Sequence, residues 1–298
     1  MALQRAPILF VLKLIIGLAI LSVILVRVDL RAIWSAATEV SPSVIVGAVA
    51  LYFVAHFINA VKLRIFLPHL SLRQSVRFTM IAVFYGTALP GQLAGDAVKA
   101  LRLARASELD ATTIVGAVAV DKVIGLFALL LLTALGLGFS RDQFGSDITS
   151  VALAVTALAL IAIVGGLVVP LPARLGRWTQ TLGAWRSLTL TPATLLKALG
   201  VGLVFQVFCI ALFAVLGSGL GIDLPLTSWA VVVGLIGVVL LLPLTVAGIG
   251  LRDGTLLGVL GLLGQNAGAA IALSFCLLAL NIVGALVGFV VDVAGKDR

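Results

Sequence analysis

The chain has 298 residues, of which 62% are hydrophobic and only 11% charged, and its mean hydropathy is +1.26. A soluble domain carries about a quarter charged residues, so these figures exclude a water-soluble globular protein. They describe an all-α polytopic membrane protein with one transmembrane domain over 1–298. The formal charge of +8 reads as basic loops facing anionic lipid, not as a nucleic-acid surface.

A span needs about 20 apolar residues. Arg5 precedes a first apolar run, Ile8 to Val26, that is long for a signal-peptide core and has no small-residue cleavage site directly after it. It reads as an uncleaved anchor. A second span is predicted over about 43–66, ending in Lys62 and Arg64. A basic stretch from His69 to Arg77 then leads into an apolar piece, about 78–89, that stops at Pro90 and is too short to cross comfortably. A helix over Asp96–Arg105 follows, then a strong span over about 112–139, a polar turn from Arg141 to Asp147 and a span over about 148–169. Pro170 to Lys197, carrying Arg174, Arg177, Trp178, Trp185 and Arg186, has the make-up of a helix lying in the interface. The last spans are predicted over about 198–217, 227–243 and 267–291. Cys209 and Cys276 sit inside apolar segments, without metal spacing or a disulfide role, and read as small buried hydrophobes.

Two stretches interrupt this pattern. Leu89-Pro90-Gly91-Gln92-Leu93-Ala94-Gly95-Asp96 and Leu242-Pro243-Leu244-Thr245-Val246-Ala247-Gly248 both read Leu-Pro, three residues, Ala-Gly. Pro removes a backbone donor and Gly weakens a helix. In lipid the freed backbone groups are tolerated only against protein or a polar cavity. If every apolar piece crossed, the cluster Lys62–Arg77 and the cluster Lys99–Arg105 would face opposite sides, against the positive-inside tendency. The charges agree if the piece over about 73–97 enters and returns as a re-entrant hairpin, and if the piece over about 227–263 does the same from the other side. Both termini are then cytoplasmic, in what reads as a bacterial inner-membrane protein. The pieces recur at one offset: Leu89 matches Leu242, the span starting near 43 matches that near 198, and the span near 112 matches that near 267. Two inverted-topology repeats are therefore expected, about 1–140 and about 148–298, each with a broken re-entrant helical hairpin, and substrate bound between them.

Charged residues follow both breaks. Asp96, Lys99 and Arg102 step by three along a helix that starts at Gly95. They read either as a phosphate clamp at a helix start, with Asp96 holding the cations in place, or as a solvated helix touching headgroups. Asp121 and Lys122 lie about nine residues into a span, roughly 14 Å deep at 1.5 Å per residue. A charge there costs about 2.5–3.5 kcal/mol on insertion scales. Neighbouring helix positions point about 100° apart, so partners are expected from elsewhere, among Asp96, Arg252 and Asp253. Arg252 and Asp253 follow Gly248-Ile249-Gly250, where an arginine could grip a phosphate with two hydrogen bonds. His56, Asn59, Gln206 and Asn281 are isolated polar residues of the kind that hydrogen-bond between helices.

Three motifs, Gly-Thr-Ala-Leu-Pro-Gly-Gln-Leu-Ala-Gly-Asp-Ala-Val-Lys at 86–99, Ala-Val-Asp-Lys at 119–122 and Gly-Ile-Gly-Leu-Arg-Asp-Gly at 248–254, resemble those of the lysylphosphatidylglycerol synthase transmembrane, or flippase-type, family. The resemblance covers nearly the whole chain. The family's Pro-Gly-x-x-Gly-Asp-x-x-Arg pattern falls on Pro90, Gly91, Gly95, Asp96 and Lys99, its Glu-Arg pair on Asp121 and Lys122, and its Gly-x-Arg-Glu on Gly250, Arg252 and Asp253. Lysine at 99 and 122 lacks arginine's planar fork, so the phosphate geometry, and with it the lipid, departs from the family's pattern.

The resemblance implies a lipid flippase that moves a phospholipid or related polar lipid between leaflets. Its partners would be membrane lipids and lipid-biosynthesis enzymes, and it would have no cofactor, no metal and no enzymatic activity. The substrate-binding set is then Pro90, Gly91, Gly95, Asp96, Lys99, Asp121, Lys122, Gly250, Arg252 and Asp253 from the resemblance, with Arg102 added by its spacing from Asp96 and Lys99. The soluble domain with which relatives aminoacylate phosphatidylglycerol is not expected here. Two other classes fit the same residues: an intramembrane enzyme acting on a lipid phosphate, and an accessory scaffold for hopanoid or lipid-linked sugar biosynthesis.

Overall fold

The computed structural model describes residues 40–89, 93–107, 109–145, 191–241 and 248–294, with a few further positions at 38 and between 149 and 161. Every regular element among them is an α-helix. In chain order these are α1 (Pro42–Phe66), α2 (Leu72–Ala88), α3 (Leu93–Ala106), α4 (Ala111–Phe139), the single turn α5 (Arg141–Phe144), α6 (Pro192–Gly219), α7 (Leu226–Val239), α8 (Leu251–Leu262) and α9 (Ala267–Ala294). The predicted spans over 8–26 and 148–169 and the interface helix over 170–197 fall mainly outside the described residues, as do Pro90, Gly91, Gln92 and 242–247 at the breaks.

Four helices, α1, α4, α6 and α9, have 25, 29, 28 and 28 residues and are apolar enough to cross a membrane. This is a membrane protein. Their starts are written in the local chemistry. Pro42 and Pro192 occupy first-turn positions where no N–H is missed. Asp110 accepts from the Thr112 N–H at 3.0 Å, and Asn266 accepts from Gly268 at 2.7 Å. That cap, with the hydroxyl of Thr112, holds the exposed Asp110 carboxyl below the usual carboxylate range.

The predicted piece over 78–89 begins earlier, at Leu72. Ser71 and Gln74 form a reciprocal capping box, so Arg73 and Arg77 belong to a helix and not to a loop. α7 ends at Val239, short of the predicted 243, in a turn before the second Leu-Pro.

The 17 residues of α2 rise about 25 Å and the 14 of α3 about 21 Å, each short of a roughly 30 Å hydrocarbon core. α3 turns back along α2, and Gly95 is what lets it approach: a β-carbon there would strike the Ala82 carbonyl and the backbone of Gly86. α7 and α8 also pack together, and Gly248, past the second break, lies beside Leu240.

The order long, short, short, long thus occurs twice, as α1–α4 and as α6–α9. The packing partners correspond: α2 lies on α9 as α7 lies on α4, and α1 lies on its counterpart α6. Small residues bring these backbones close. Gly234 faces Thr133, Gly237 faces Leu129, Gly284 faces the Tyr52 ring and Gly288 faces the Met80 carbonyl. One apolar cluster, around Tyr52, Trp229, Ile271 and Leu273, joins α1 to the second set of helices. A second, around Leu63, Phe78, Leu103, Ile114 and Val120, holds the first set together.

Gly95→Ala is expected to destabilise the fold by about 1–3 kcal/mol, because the neighbours it meets are backbone and cannot swing away. Gly258→Ala, in a helix with nothing near its β-carbon, is the control and should be neutral or slightly stabilising. Thermal melts of the two purified variants check this, and equal midpoints would contradict it.

Candidate functional site

A cavity of about 410 Å³ opens between the two sets of helices. Its walls come from α1, α2, α3, α4, α6, α7 and α9, with Gly248 and Arg252 closing one side. One wall is charged. Asp96, in the first turn of α3, lies 2.8 Å from Lys99 Nζ and 3.1 Å from Lys122 Nζ on α4. The carboxylate is thus shared by two lysines, one on its own helix and one from the neighbouring span. Lys99 is buried, while the Lys122 side chain keeps 38% of its surface exposed and is the most open of the cavity's cations.

Asp121 points elsewhere. Its carboxylate Oδ1 lies 3.4 Å from Lys62 Nζ, and Lys62 donates to the Asp121 main-chain carbonyl at 3.0 Å. In sequence Lys62 closes the second predicted span, at the membrane edge. It is instead 2% exposed, within the wall, and sits where Gly125 and Gly202 leave room for its stem. The ring of Phe205 lies 5.7 Å from its ammonium. The partner expected for Lys122 is thus Asp96, as foreseen, whereas that of Asp121 is Lys62 and not Arg252 or Asp253. The signal for Lys62 was present in its spacing, three residues past Asn59 on the adjoining face of α1.

Arg252 reaches the cavity from α8. Its Nε donates to the Ser274 hydroxyl at 3.2 Å, and one terminal nitrogen, Nη2, donates to the Ser274 carbonyl at 3.2 Å and to Asp253 Oδ1 at 3.5 Å. Asp253 also accepts the Gly250 N–H at 2.7 Å and bonds the Ser274 hydroxyl. Gly250 adopts φ 86°, a conformation glycine takes without strain, and this sets the start of α8. Gly250 and Asp253 therefore do not line the cavity. They fix the arginine that does.

Arg102 is a correction too. It leaves the row begun by Asp96 and Lys99 and pairs with Asp292 of α9 at 3.2 Å, where Tyr85 also donates at 3.1 Å. Two steps of three residues turn Arg102 about 120° around the helix from Asp96, and its side chain goes to α9 instead. Of the predicted set, Gly95, Asp96, Lys99, Asp121, Lys122 and Arg252 come together around the cavity. Pro90 and Gly91 lie outside the described residues.

Uncharged polar side chains line the cavity as well. Tyr52, His56 and Asn59 of α1, Gln206 of α6 and Asn281 of α9 line it. Gln206 donates to the Gly125 carbonyl at 3.0 Å, the interhelical bond expected of it, and Tyr52 lies 3.4 Å from Asn281 Oδ1. Cys209 lines the cavity as well. The arrangement offers fixed cationic and neutral donors in a low-dielectric enclosure, which is the chemistry that holds a phosphate and a polar headgroup.

Magnitudes separate the two ion-pair systems. Removing one partner of a buried pair costs about 3–5 kcal/mol, so Asp96→Asn, which strands two lysines, is expected to lower stability by that order. Arg102→Gln, at a pair whose arginine is 31% exposed, should cost about 1 kcal/mol or less. Denaturation of both variants in one detergent compares them directly; similar losses would show that Asp96 is no more desolvated than the rim.

No curated protein matches the chain. The family model described as the lysylphosphatidylglycerol synthase TM region matches residues 10–288, nearly the whole length, and so spans the Gly-Asp start of α3, the Asp-Lys pair of α4 and the Gly-x-Arg-Asp start of α8. With those three motifs converging on one cavity, the chain belongs to the lysylphosphatidylglycerol synthase transmembrane-region family.

Proposed function

We propose that this protein moves a phospholipid or related polar lipid between membrane leaflets, with the headgroup in the charged cavity and the acyl tails left in the bilayer. The observation that carries this reading is the burial of Lys62, Lys99 and Arg252 beside a more open Lys122 at the meeting of the two sets of helices. Ionised groups at membrane depth are rare and mark substrate pathways. The family match supports lipid as the cargo.

In this reading the two sets of helices are inverted repeats, and α2–α3 and α7–α8 are re-entrant hairpins that dip in from opposite faces. The shortness of these helices and the reciprocal packing of α2 on α9 and α7 on α4 support it. Rocking of one repeat against the other would expose the headgroup site to each side in turn. The protein acts as a transporter and not as an enzyme, sits in the bacterial inner membrane with both termini cytoplasmic, and has membrane lipids as its partners.

Lys122→Ala tests the reading. It removes the most open cation, and losing a charge-assisted hydrogen bond worth about 1.5–3 kcal/mol should slow headgroup movement roughly 10- to 150-fold. The readout is the rate at which a fluorescent phospholipid becomes accessible to a membrane-impermeant quencher in reconstituted vesicles. Wild-type rates in the variant would remove the cavity from the pathway.

A further inference from the structure

Pairing the charges around the cavity leaves one lysine over, and that lysine bears on what drives the transport proposed above, the reading on which this inference rests. Lys122, Asp96, Lys99 and Asp121 alternate in sign. Asp96 lies 3.1 Å from Lys122 and 2.8 Å from Lys99, and the charge of Asp121 acts on Lys99 as well. Two ammoniums thus answer two carboxylates, and Asp253 answers Arg252. Lys62, the remaining cation that lines the cavity, has no carboxylate to itself.

Its surroundings are also the poorest. The contact with Asp121, at 3.4 Å, is the longest of the lysine–carboxylate contacts around the cavity, and Asp121 Oδ1 makes no hydrogen bond among the described residues. Lys62 Nζ donates to the Asp121 main-chain carbonyl, an acceptor that serves an amine as well as an ammonium. Its other neighbours are the Phe205 ring, Gly125 and Gly202, and the side chain is buried. Solvent supports the more open Lys122, and a guanidinium keeps its proton. A buried amine without compensation gives up its proton instead of bearing the desolvation cost. No other group supplies the missing anion. Tyr52 and His56 on its own helix and Cys209 on α6 carry no negative charge, and α2, α7 and α9 give the cavity no titratable side chain.

We infer that Lys62 is the proton-binding site of a lipid–proton symporter, neutral while the cavity is empty and protonated while a phosphate occupies it. The arriving phosphate adds negative charge to a balanced site. Lys62 Nζ then takes up one proton through the cavity it lines, and the new ammonium sits between Asp121 and the Phe205 ring. When the headgroup leaves, the ammonium returns that proton to the cavity. Empty and loaded sites carry the same net charge, so neither state holds an unmet charge at membrane depth. His56, whose Nδ1 has no hydrogen-bond partner among the described residues, is the rival carrier. A proton there on loading would leave the site with the surplus that exchange at Lys62 avoids.

Phosphatidylcholine vesicles holding the full chain and acyl-labelled phosphatidylglycerol test this, since the probe's phosphodiester exchanges no proton near neutral pH. The membrane potential is held at zero with potassium and valinomycin, and a pH difference of about one unit is imposed. One proton for each lipid predicts that the label ratio between leaflets shifts about tenfold toward the alkaline side, beyond any shift in protein-free vesicles. Lys62→Met should abolish the shift while movement continues at a lower rate, and His56→Gln should keep it. In lipid-free detergent Lys62→Met should also melt well above Asp96→Asn, because the amine it replaces is already uncharged there. A wild-type ratio that ignores the gradient overturns the inference and leaves the transport reading standing. Loss of the shift in His56→Gln, or its retention in Lys62→Met, overturns it as well, as does a Lys62→Met chain that fails to fold or melts as low as Asp96→Asn. No movement of label under any gradient removes the transport reading, and the symport with it.

Discussion

A single carboxylate, Asp96, divided between Lys99 and Lys122, is the constraint on which the rest of the structure depends. Lysine 122 sits in the interior of a long apolar helix, where a lone ammonium would not be tolerated. Its counter-ion comes from another segment, the first turn of α3. The return of α3 along α2, made possible by Gly95 against Ala82 and Gly86, is the delivery. The close approach of α3 to α2 and the pairing of Asp96 with Lys122 therefore go together.

The second set of helices solves a similar problem differently. Arg252 begins α8 just past a glycine with φ 86°, and Asp253 ties the helix start, the arginine and Ser274 into one buried cluster. The first half thus presents a carboxylate between two single-point lysines, whereas the second presents a planar guanidinium locked in orientation.

The far ends of the long helices are fastened with unlike materials. The end of α9 is tied to the first pair of short helices by Asp292, which takes Arg102 and Tyr85. The end of α4 is tied to the start of α7 by hydroxyls and an amide: Ser140 to Thr227 at 2.8 Å and Ser228 to Ser140 and Gln143. The helical plan is near-symmetric, yet one junction is ionic and the other neutral. Salt and dielectric act on the first far more than on the second.

Much of this was legible in the residues themselves. Hydropathy over windows of about 20 residues locates spans because lipid admits no unpaired backbone, and the helices over 42–66, 111–139, 192–219 and 267–294 lie close to where their apolar runs predict them. Leu-Pro and Ala-Gly mark the breaks for the same reason, and Asp96, Lys122 and Arg252 stand out as charges in an apolar setting. What one dimension could not decide is which distant residue answers which charge. Lys62 reads as the basic end of a span until α1 crosses α4 at Gly125 and lays its ammonium on Asp121. Arg102 continues the Asp96–Lys99 spacing in sequence but turns away around the helix to Asp292. The uncharged polar lining of His56, Asn59, Gln206 and Asn281 draws residues from three helices and comes together only once they meet. Composition and periodicity determine how each segment meets lipid, since that is a local balance of burial. Pairing is settled by the angle and depth at which helices cross, and no local pattern encodes those.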